Sequence, residues 1–180
     1  MIKNELKKEN TELIVIDIQE KFLPVIKNMD LIVDNTIKLI KSFQRMKIPI
    51  IVTEQYSKGL GKTLGKITKE LKSYKPIEKI TFNCFDETKF KISKQIKNLI
   101  ICGIESHICV TQTVLVALEK GFNVYLVKDA ISSRKESDKK IALERLKQEG
   151  ALVVSTEMII FQLLKKAGTK EFKEVIKIIK

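Results

Sequence analysis

Short apolar blocks alternate with helical patterns along this chain, and that alternation limits the folds that it can adopt. The blocks are rich in β-branched residues and lie at 13–16, 49–52, 99–102, 124–127 and 151–154, with a weaker sixth at 77–82. Blocks that are apolar on both faces are typical of strands in a parallel sheet covered on both sides. Amphipathic helical patterns occupy 32–46, 136–150 and 172–179. We therefore predict an α/β protein with three α/β/α layers and a central, mostly parallel six-stranded sheet.

The composition is that of a globular protein. Hydrophobic residues make up 44% of the 180 residues and charged ones 31%. No apolar run reaches the roughly 18–20 residues that a membrane span needs. We find no linker or internal repeat, so the sequence predicts a single domain over residues 1–180. Three cysteines and a first segment without a hydrophobic signal region lead us to expect a cytoplasmic protein with free thiols.

The net charge of +12 leaves two interpretations open. A basic chain binds polyanions when its lysines and arginines replace the counterions of phosphates. Here the excess is spread along the chain, aromatic residues are only 6%, and no nucleic-acid-binding motif occurs. We favour a solvated lysine-rich surface and expect no nucleic-acid partner. A non-catalytic protein that binds a nucleic acid or a protein remains the alternative.

Polar side chains stand where the predicted strands end, which is where parallel α/β sheets collect their chemistry. Asp17 ends the first strand, either as the cap of a turn or as a functional carboxylate that invites a cation. Glu54, Gln55 and Tyr56 end the second strand, before a glycine-rich segment that we interpret as a flexible mouth loop. Lys79 lies in an apolar stretch, either on the surface of an edge strand or inside a site.

The segment CGIESHICV, residues 102–110, places Cys109 where a buried strand passes into a helix. Ser106 is a candidate N-cap, which would put Cys109 in the first helical turn. There the helix dipole, aided by a cation such as Lys79, would lower the thiol pKa and make Cys109 a nucleophile. The alternative is a small buried packing residue, which is our interpretation of Cys84 and Cys102. His107 precedes Cys109 by two residues, so the two side chains should diverge on a helix.

Three motifs in this order resemble the isochorismatase-like cysteine hydrolases, which include nicotinamidases and N-carbamoylsarcosine amidases. They are VIDIQEKF (15–22), EKITFNCF (78–85) and CGIESHICV (102–110). The resemblance continues through TEQYSKGLGKT, LVKDAISSR and STEMIIFQLL, and it is most similar to the isochorismatase-domain-containing branch. It implies a catalytic triad of Asp17, Lys79 and Cys109. It also implies a cis peptide bond at Ile104–Glu105 and an oxyanion hole built by the backbone N–H groups of Glu105 and Cys109.

The resemblance also narrows the chemistry. Nicotinamidases carry an Asp/His metal cluster after the second strand, whereas residues 53–63 here contain no histidine. Isochorismatases that cleave a vinyl ether can lack the cysteine that this chain has. We therefore predict a hydrolase that cleaves an amide or ureido C–N bond of a small molecule through a thioester, without cofactor or metal, in a homo-oligomer. The predicted substrate pocket consists of Phe22, Tyr56, Phe82 and Ile108, with Glu54 and Gln55 as polar contacts.

Overall fold

The computed structural model describes residues 5–180, and its centre is a six-stranded sheet. The strands are β1 (Thr11–Ile16), β2 (Ile50–Gln55), β3 (Ile77–Lys79), β4 (Asn98–Ile104), β5 (Asn123–Ser132) and β6 (Leu152–Val154). They lie in the order β3-β2-β1-β4-β5-β6, and every pairing between them is parallel. The predicted fold class is confirmed.

Helices cover both faces of the sheet. They are α1 (Met29–Arg45), α2 (Ser57–Leu60), α3 (Gly65–Thr68), α4 (Thr111–Glu119), α5 (Glu136–Gln148), α6 (Thr156–Leu164) and α7 (Lys170–Ile179). One core cluster packs α1, α6 and α7 on one face, and a second packs α4 and α5 on the other. Within residues 5–180 no helix has both the length and the apolar character needed to cross a membrane.

The apolar blocks mark the strands but not their ends. All residues of β1 and β4 are buried, as expected for central strands with helices on both faces. β5 extends well past the apolar block at 124–127, through the polar pair Lys128 and Asp129. Asp129 accepts hydrogen bonds from the backbone and hydroxyl of Thr156 at the start of α6. A polar residue can thus prolong a strand when its side chain serves the neighbouring helix.

The chain order of the sheet reverses between β1 and β4. From β1 the chain builds β2 and β3 towards one edge, then crosses to β4 on the other side of β1. Such a reversal opens a crevice at the carboxyl ends of the two central strands. Gly103 lets β4 pass close to β1 there, since a Cβ on this residue would lie 2.0 Å from the Ile16 carbonyl oxygen.

Glu12 is a buried carboxylate near the beginning of β1. It is only 7% exposed, and its Oε2 meets no hydrogen-bond donor in the described part of the chain. Burial raises its pKa to about 7. A raised pKa means that the folded state resists ionisation of Glu12, so stability is greatest below the unfolded pKa and declines as pH rises towards 7.

Replacing Glu12 by Gln is therefore expected to remove a pH-dependent penalty. The Glu12→Gln variant should gain about 3 kcal/mol of unfolding free energy over wild type at pH 8, relative to their difference at pH 4. Urea unfolding at both pH values measures this. Glu9→Gln, a change at an exposed position of the same segment, is the matched control. Parallel pH profiles for wild type and Glu12→Gln would contradict the expectation.

Candidate active site

Asp17 stands one residue beyond β1, where the backbone turns away from the sheet. Its φ angle of +51° is a left-handed conformation that aspartate adopts more readily than most residues. The carboxylate is buried, and its Oδ1 accepts a hydrogen bond of 2.7 Å from the Thr53 hydroxyl on β2. The register that pairs Ile16 with Thr53 places both side chains at the same edge of the sheet. A carboxylate buried in this way needs a cation beside it.

Lys79 supplies that cation from the last residue of the edge strand β3. Its side chain is fully buried, and Nζ lies 2.7 Å from Asp17 Oδ2. Nζ also donates to Gln55 Oε1 at 2.6 Å and to the Thr81 carbonyl oxygen at 3.4 Å. Because Gln55 pairs with Lys79 across β2 and β3, the ammonium reaches over β2 towards β1. The interpretation of Lys79 as a surface lysine is wrong.

Cys109 approaches the same cluster from β4. It lies in a π-helical turn, Ser106–Val110, that runs directly into α4. The residue is 6% exposed, and Sγ lies 3.9 Å from Gln55 Oε1. The same Gln55 oxygen accepts from Lys79 Nζ at 2.6 Å, so the thiol lies beside the Asp17–Lys79 ion pair. The structure thus gathers an acid, an amine and a thiol from three strand ends.

The start of this turn differs from the sequence prediction. Ser106 is not the N-cap: the flanking residue is Glu105, and the buried Ser106 hydroxyl meets no partner among the described residues. The carbonyl of Ser106 instead accepts the Thr111 hydroxyl at 2.6 Å. A serine before an apolar helix predicts a cap only for an α-helical first turn, and the π-helical turn displaces that position by one residue.

The peptide bond between Ile104 and Glu105 is cis. The buried Glu105 carboxylate accepts the Arg134 backbone N–H at 2.8 Å and the Arg134 Nε–H at 3.1 Å. The backbone that leads into the Cys109 turn is therefore held by the segment after β5. Sequence reasoning did not identify Arg134 as a partner of this turn.

The electrostatics of the cluster favour a neutral thiol at rest. Burial raises the pKa of Cys109 above its ordinary range and the charge of Asp17 raises it further, while Lys79 lowers it without reversing the shift. Burial alone would lower the pKa of Lys79, but Asp17 and Cys109 hold it above its usual value. The paired ammonium and carboxylate present little net charge to the sulfur. The predicted lowering of the thiol pKa is therefore wrong.

Two glutamines that close the cluster were not recognised in these roles. Gln55 was expected to read substrate, yet its carboxamide binds Lys79 and the Ile80 carbonyl. The Gln19 side chain hydrogen-bonds both backbone groups of Gln55: its Oε1 accepts from Gln55 N–H at 2.8 Å, and its Nε2 donates to Gln55 O at 3.0 Å. The period-2 spacing of Asp17 and Gln19, and of Thr53 and Gln55, is the sequence signal that was available.

Glu54 does not belong to this cluster. Side chains alternate along a strand, so Glu54 points to the face opposite to Thr53 and Gln55. Its Oε1 accepts the backbone N–H and hydroxyl of Thr63, at 2.6 and 2.9 Å, and the hydroxyl of Tyr74. The carboxylate thus holds the segment between α2 and α3 in place, and a contact of Glu54 with substrate stays a prediction.

The four apolar pocket candidates have different surroundings. Tyr56 and Phe82 are 52% and 50% exposed, next to the strand ends that carry Gln55 and Lys79. Phe22 is partly buried against the core beside α1, and Ile108 against the core beside α4. Tyr56 and Phe82 are thus the two of the four with exposed aromatic side chains.

The side chain of His107 points away from Cys109, towards Ser133 and α5. Its Nδ1 lies 2.9 Å from the Ser133 hydroxyl, and its Nε2 lies 3.8 Å from Asp138 Oδ2 on α5. These contacts support the sequence inference that His107 and Cys109 diverge. Histidine here links the turn to α5.

The other two cysteines are fully buried. Cys102 lies in β4 within the core beside α1, as predicted. Cys84 lies in the opposite core, and its backbone N–H donates to the Thr113 hydroxyl at 3.1 Å. Burial and the charge of Asp17 raise the pKa of Cys84 to about 11. Of the three cysteine residues, Cys109 has the largest exposed fraction.

Comparison with known proteins supports the fold. A family model for the isochorismatase domain matches residues 11–158. Isochorismatase family protein 1B of Dictyostelium discoideum is 39% identical, over 96% of this chain and 87% of its own length. Isochorismatase domain-containing protein 2A of Mus musculus is 35% identical, over 96% and 84%. The solved structure of MAR1 ribonuclease from Caenorhabditis elegans superposes with a TM-score of 0.90 at 37% identity, covering 98% of this chain and 92% of that one.

Proposed function

The chain belongs to the isochorismatase family, and from that premise we propose that it is a cysteine hydrolase that cleaves the C–N bond of a small amide or ureido compound. The family membership supports a hydrolase fold. The chemistry is inferred from the residues that the strand ends bring together.

One observation carries the proposal: a buried Asp17–Lys79 ion pair of 2.7 Å lies beside the thiol of Cys109, since Gln55 Oε1 accepts from Lys79 Nζ at 2.6 Å and lies 3.9 Å from the sulfur. Burying two opposite charges is costly, so such a pair is weak evidence for stability and identifies a candidate functional site. Oδ2 of Asp17 meets Lys79 in a direction that is not a hydrogen bond. It therefore keeps a lone pair to accept a proton.

We infer that the first step moves the thiol proton to Asp17. The resting thiol is neutral, so Cys109 becomes a nucleophile only as the Asp17 carboxylate takes its proton and the Lys79 ammonium balances the thiolate. This order follows from the raised pKa of the Cys109 thiol. A general base of this kind typically contributes about 10²–10⁴-fold to the rate.

The remaining steps return the enzyme to its resting state. The thiolate attacks the carbonyl carbon, and the backbone N–H groups of Glu105 and Cys109 hold the oxyanion, each worth about 10²–10³-fold. Collapse breaks the C–N bond, and protonated Asp17 gives its proton to the leaving nitrogen. Asp17 then takes a proton from water as the water attacks the thioester. The product acid leaves, and Cys109 recovers its proton from Asp17.

A panel of small primary amides, ureido acids and esters tests the proposal. Wild type is expected to release ammonia or acid from at least one amide or ureido compound, and Cys109→Ala from none, because it has no nucleophile. Ammonia release and product chromatography measure the outcome. Cys102→Ala, at the buried thiol on the other face of the sheet, is the matched control and should retain turnover. Equal turnover by wild type and Cys109→Ala would contradict the proposal.

A second candidate function is binding or cleavage of RNA. It is favoured by the net charge of +12 and by the likeness to a protein named MAR1 ribonuclease. Salt-dependent retention of a single-stranded RNA oligonucleotide, with a steep fall in affinity between 50 and 200 mM salt, would support it. If Cys109→Ala cleaved that RNA at the wild-type rate, RNA cleavage would not depend on the thiol of Cys109.

A further inference from the structure

The side-chain carboxamide of Gln55 has a single orientation that fits its neighbours. Its Oε1 accepts from Lys79 Nζ at 2.6 Å, and its Nε2 donates to the Ile80 carbonyl at 2.6 Å. The reverse orientation would set an NH₂ group against an ammonium and an oxygen against a carbonyl oxygen. Because Gln19 also holds the backbone of Gln55 from both sides, the carboxamide is pinned in place.

This orientation directs the donors of Lys79 towards oxygens. Nζ donates to Gln55 Oε1 and to the Thr81 carbonyl oxygen, at 2.6 and 3.4 Å, and pairs by charge with Asp17 Oδ2 at 2.7 Å. In this arrangement Lys79 acts on the sulfur of Cys109 mainly through its charge. A thiolate would gain most if one of these N–H groups turned to it, since hydrogen bonds between charged partners are the strong ones.

Gln55 also acts on the sulfur directly. Its Oε1 lies 3.9 Å from Cys109 Sγ, within reach of a weak S–H donor. A carboxamide oxygen accepts hydrogen bonds and donates none, so it favours the S–H form and repels the thiolate. Gln55 Oε1 thus accepts hydrogen bonds from both the ammonium of Lys79 and the thiol of Cys109.

We propose that Gln55 is a positioning residue that keeps resting Cys109 in its neutral form and holds Lys79 away from the sulfur. This inference rests on the proposed role of Cys109 as the nucleophile. In the reaction the thiol proton passes to Asp17, and the Lys79 N–H held by Gln55 becomes available to the new thiolate. Gln55 would therefore keep Cys109 of the free enzyme from reacting with alkylating agents, while it keeps Lys79 correctly placed for turnover.

Two variants with opposite expected effects test the role. Gln55→Met removes the fixed oxygen at similar length, so iodoacetamide should alkylate Cys109 about tenfold faster at pH 7.5, the gain expected from one released charged hydrogen bond. Gln55→Glu keeps the shape but adds a negative charge, so alkylation should become slower than in wild type. Both should lose turnover on any amide that wild type hydrolyses, because Lys79 is no longer placed as in wild type.

Peptide mass spectrometry measures the alkylation of each cysteine separately. Gln44→Met is the matched control. The Gln44 carboxamide likewise makes two hydrogen bonds, donating to Glu70 O and accepting from Lys72 N–H, but it lies at the end of α1 away from the sulfur. It should leave the labelling of Cys109 unchanged. A merely structural role of Gln55 would instead expose Cys84 and Cys102 as well.

Labelling of Cys109 in Gln55→Met at the wild-type rate, or faster labelling in Gln55→Glu, would overturn the inference. If Gln55→Met unfolds, which labelling of Cys84 and Cys102 reveals, the isosteric Gln55→Glu decides alone. The alkylation needs no substrate. A protein that hydrolyses none of the amides would therefore refute the proposed function, while the two labelling rates would still decide the role of Gln55.

Discussion

Lys79→Met is expected to lower the free energy of unfolding by about 3–5 kcal/mol, because it leaves a buried carboxylate without its cation. In wild type the Lys79 side chain is fully buried and Nζ lies 2.7 Å from Asp17 Oδ2. In the variant, the Thr53 hydroxyl on Oδ1 would be the remaining hydrogen bond to that carboxylate among those described. Urea unfolding at pH 7 measures the loss.

The controls for this prediction follow from burial. Asp17→Asn added to Lys79→Met removes the orphaned charge and should recover most of the stability. Lys66→Met breaks an ion pair of 3.2 Å with Asp30 in which both side chains are exposed, so it should cost less than about 1 kcal/mol. Equal losses of unfolding free energy in Lys79→Met and Lys66→Met would contradict the expectation that Lys79 neutralises the buried charge of Asp17.

Asp17→Asn is expected to reduce the turnover number for an amide by about 10²–10⁴-fold, since an amide side chain cannot accept the thiol proton. The same change should make Cys109 easier to alkylate. Asp17 is one cause of the raised thiol pKa, so its removal leaves the positive charge of Lys79 unopposed and favours the thiolate. Steady-state rates and the pH profile of iodoacetamide labelling measure the two effects.

The opposite signs of these effects separate a base from a structural residue. A variant that merely disturbed the fold would change turnover while exposing all three cysteines alike. Asp138→Asn alters the carboxylate beside His107, so it removes an acid near the same turn and should change neither quantity. If Asp17→Asn kept full turnover, Asp17 would not be the proton acceptor.

The sheet and the meeting of three side chains could be predicted because both depend on position along the chain. Apolar blocks of a length typical of strands, separated by helical patterns, specify a parallel sheet, and the ends of its strands lie at one edge. Asp17 and Lys79 are recognisable there as charged residues within or directly after apolar stretches. The resemblance then named them and Cys109 together.

The finer geometry could not be predicted because it depends on which face each side chain occupies. Glu54 and Gln55 are neighbours in the sequence, yet only Gln55 meets Lys79, while Glu54 binds Thr63 on the other face. Alternation predicts that the two differ but not which of them faces Asp17. That choice is made by the packing of the helices on the sheet.

The thiol pKa was predicted with the wrong sign for a similar reason. Position in the first turn of a helix favours a thiolate, but the sequence does not reveal how deeply the sulfur is buried or how fully Lys79 is paired. In the structure burial is the largest influence on Cys109, and Asp17 neutralises much of the field of Lys79. The proposed reaction therefore needs a base to take the thiol proton, and we assign that role to Asp17.

The most direct test of the account is to trap the bond that Cys109 is proposed to form. Wild-type protein is mixed with p-nitrophenyl acetate, quenched in acid within the first turnover and mapped by peptide mass spectrometry. We predict a burst of one p-nitrophenol per chain and an acetyl group on Cys109, with Cys84 and Cys102 unmodified and no burst from Cys109→Ala. A burst of the same size from Cys109→Ala, or an acetyl group found elsewhere, would contradict the account.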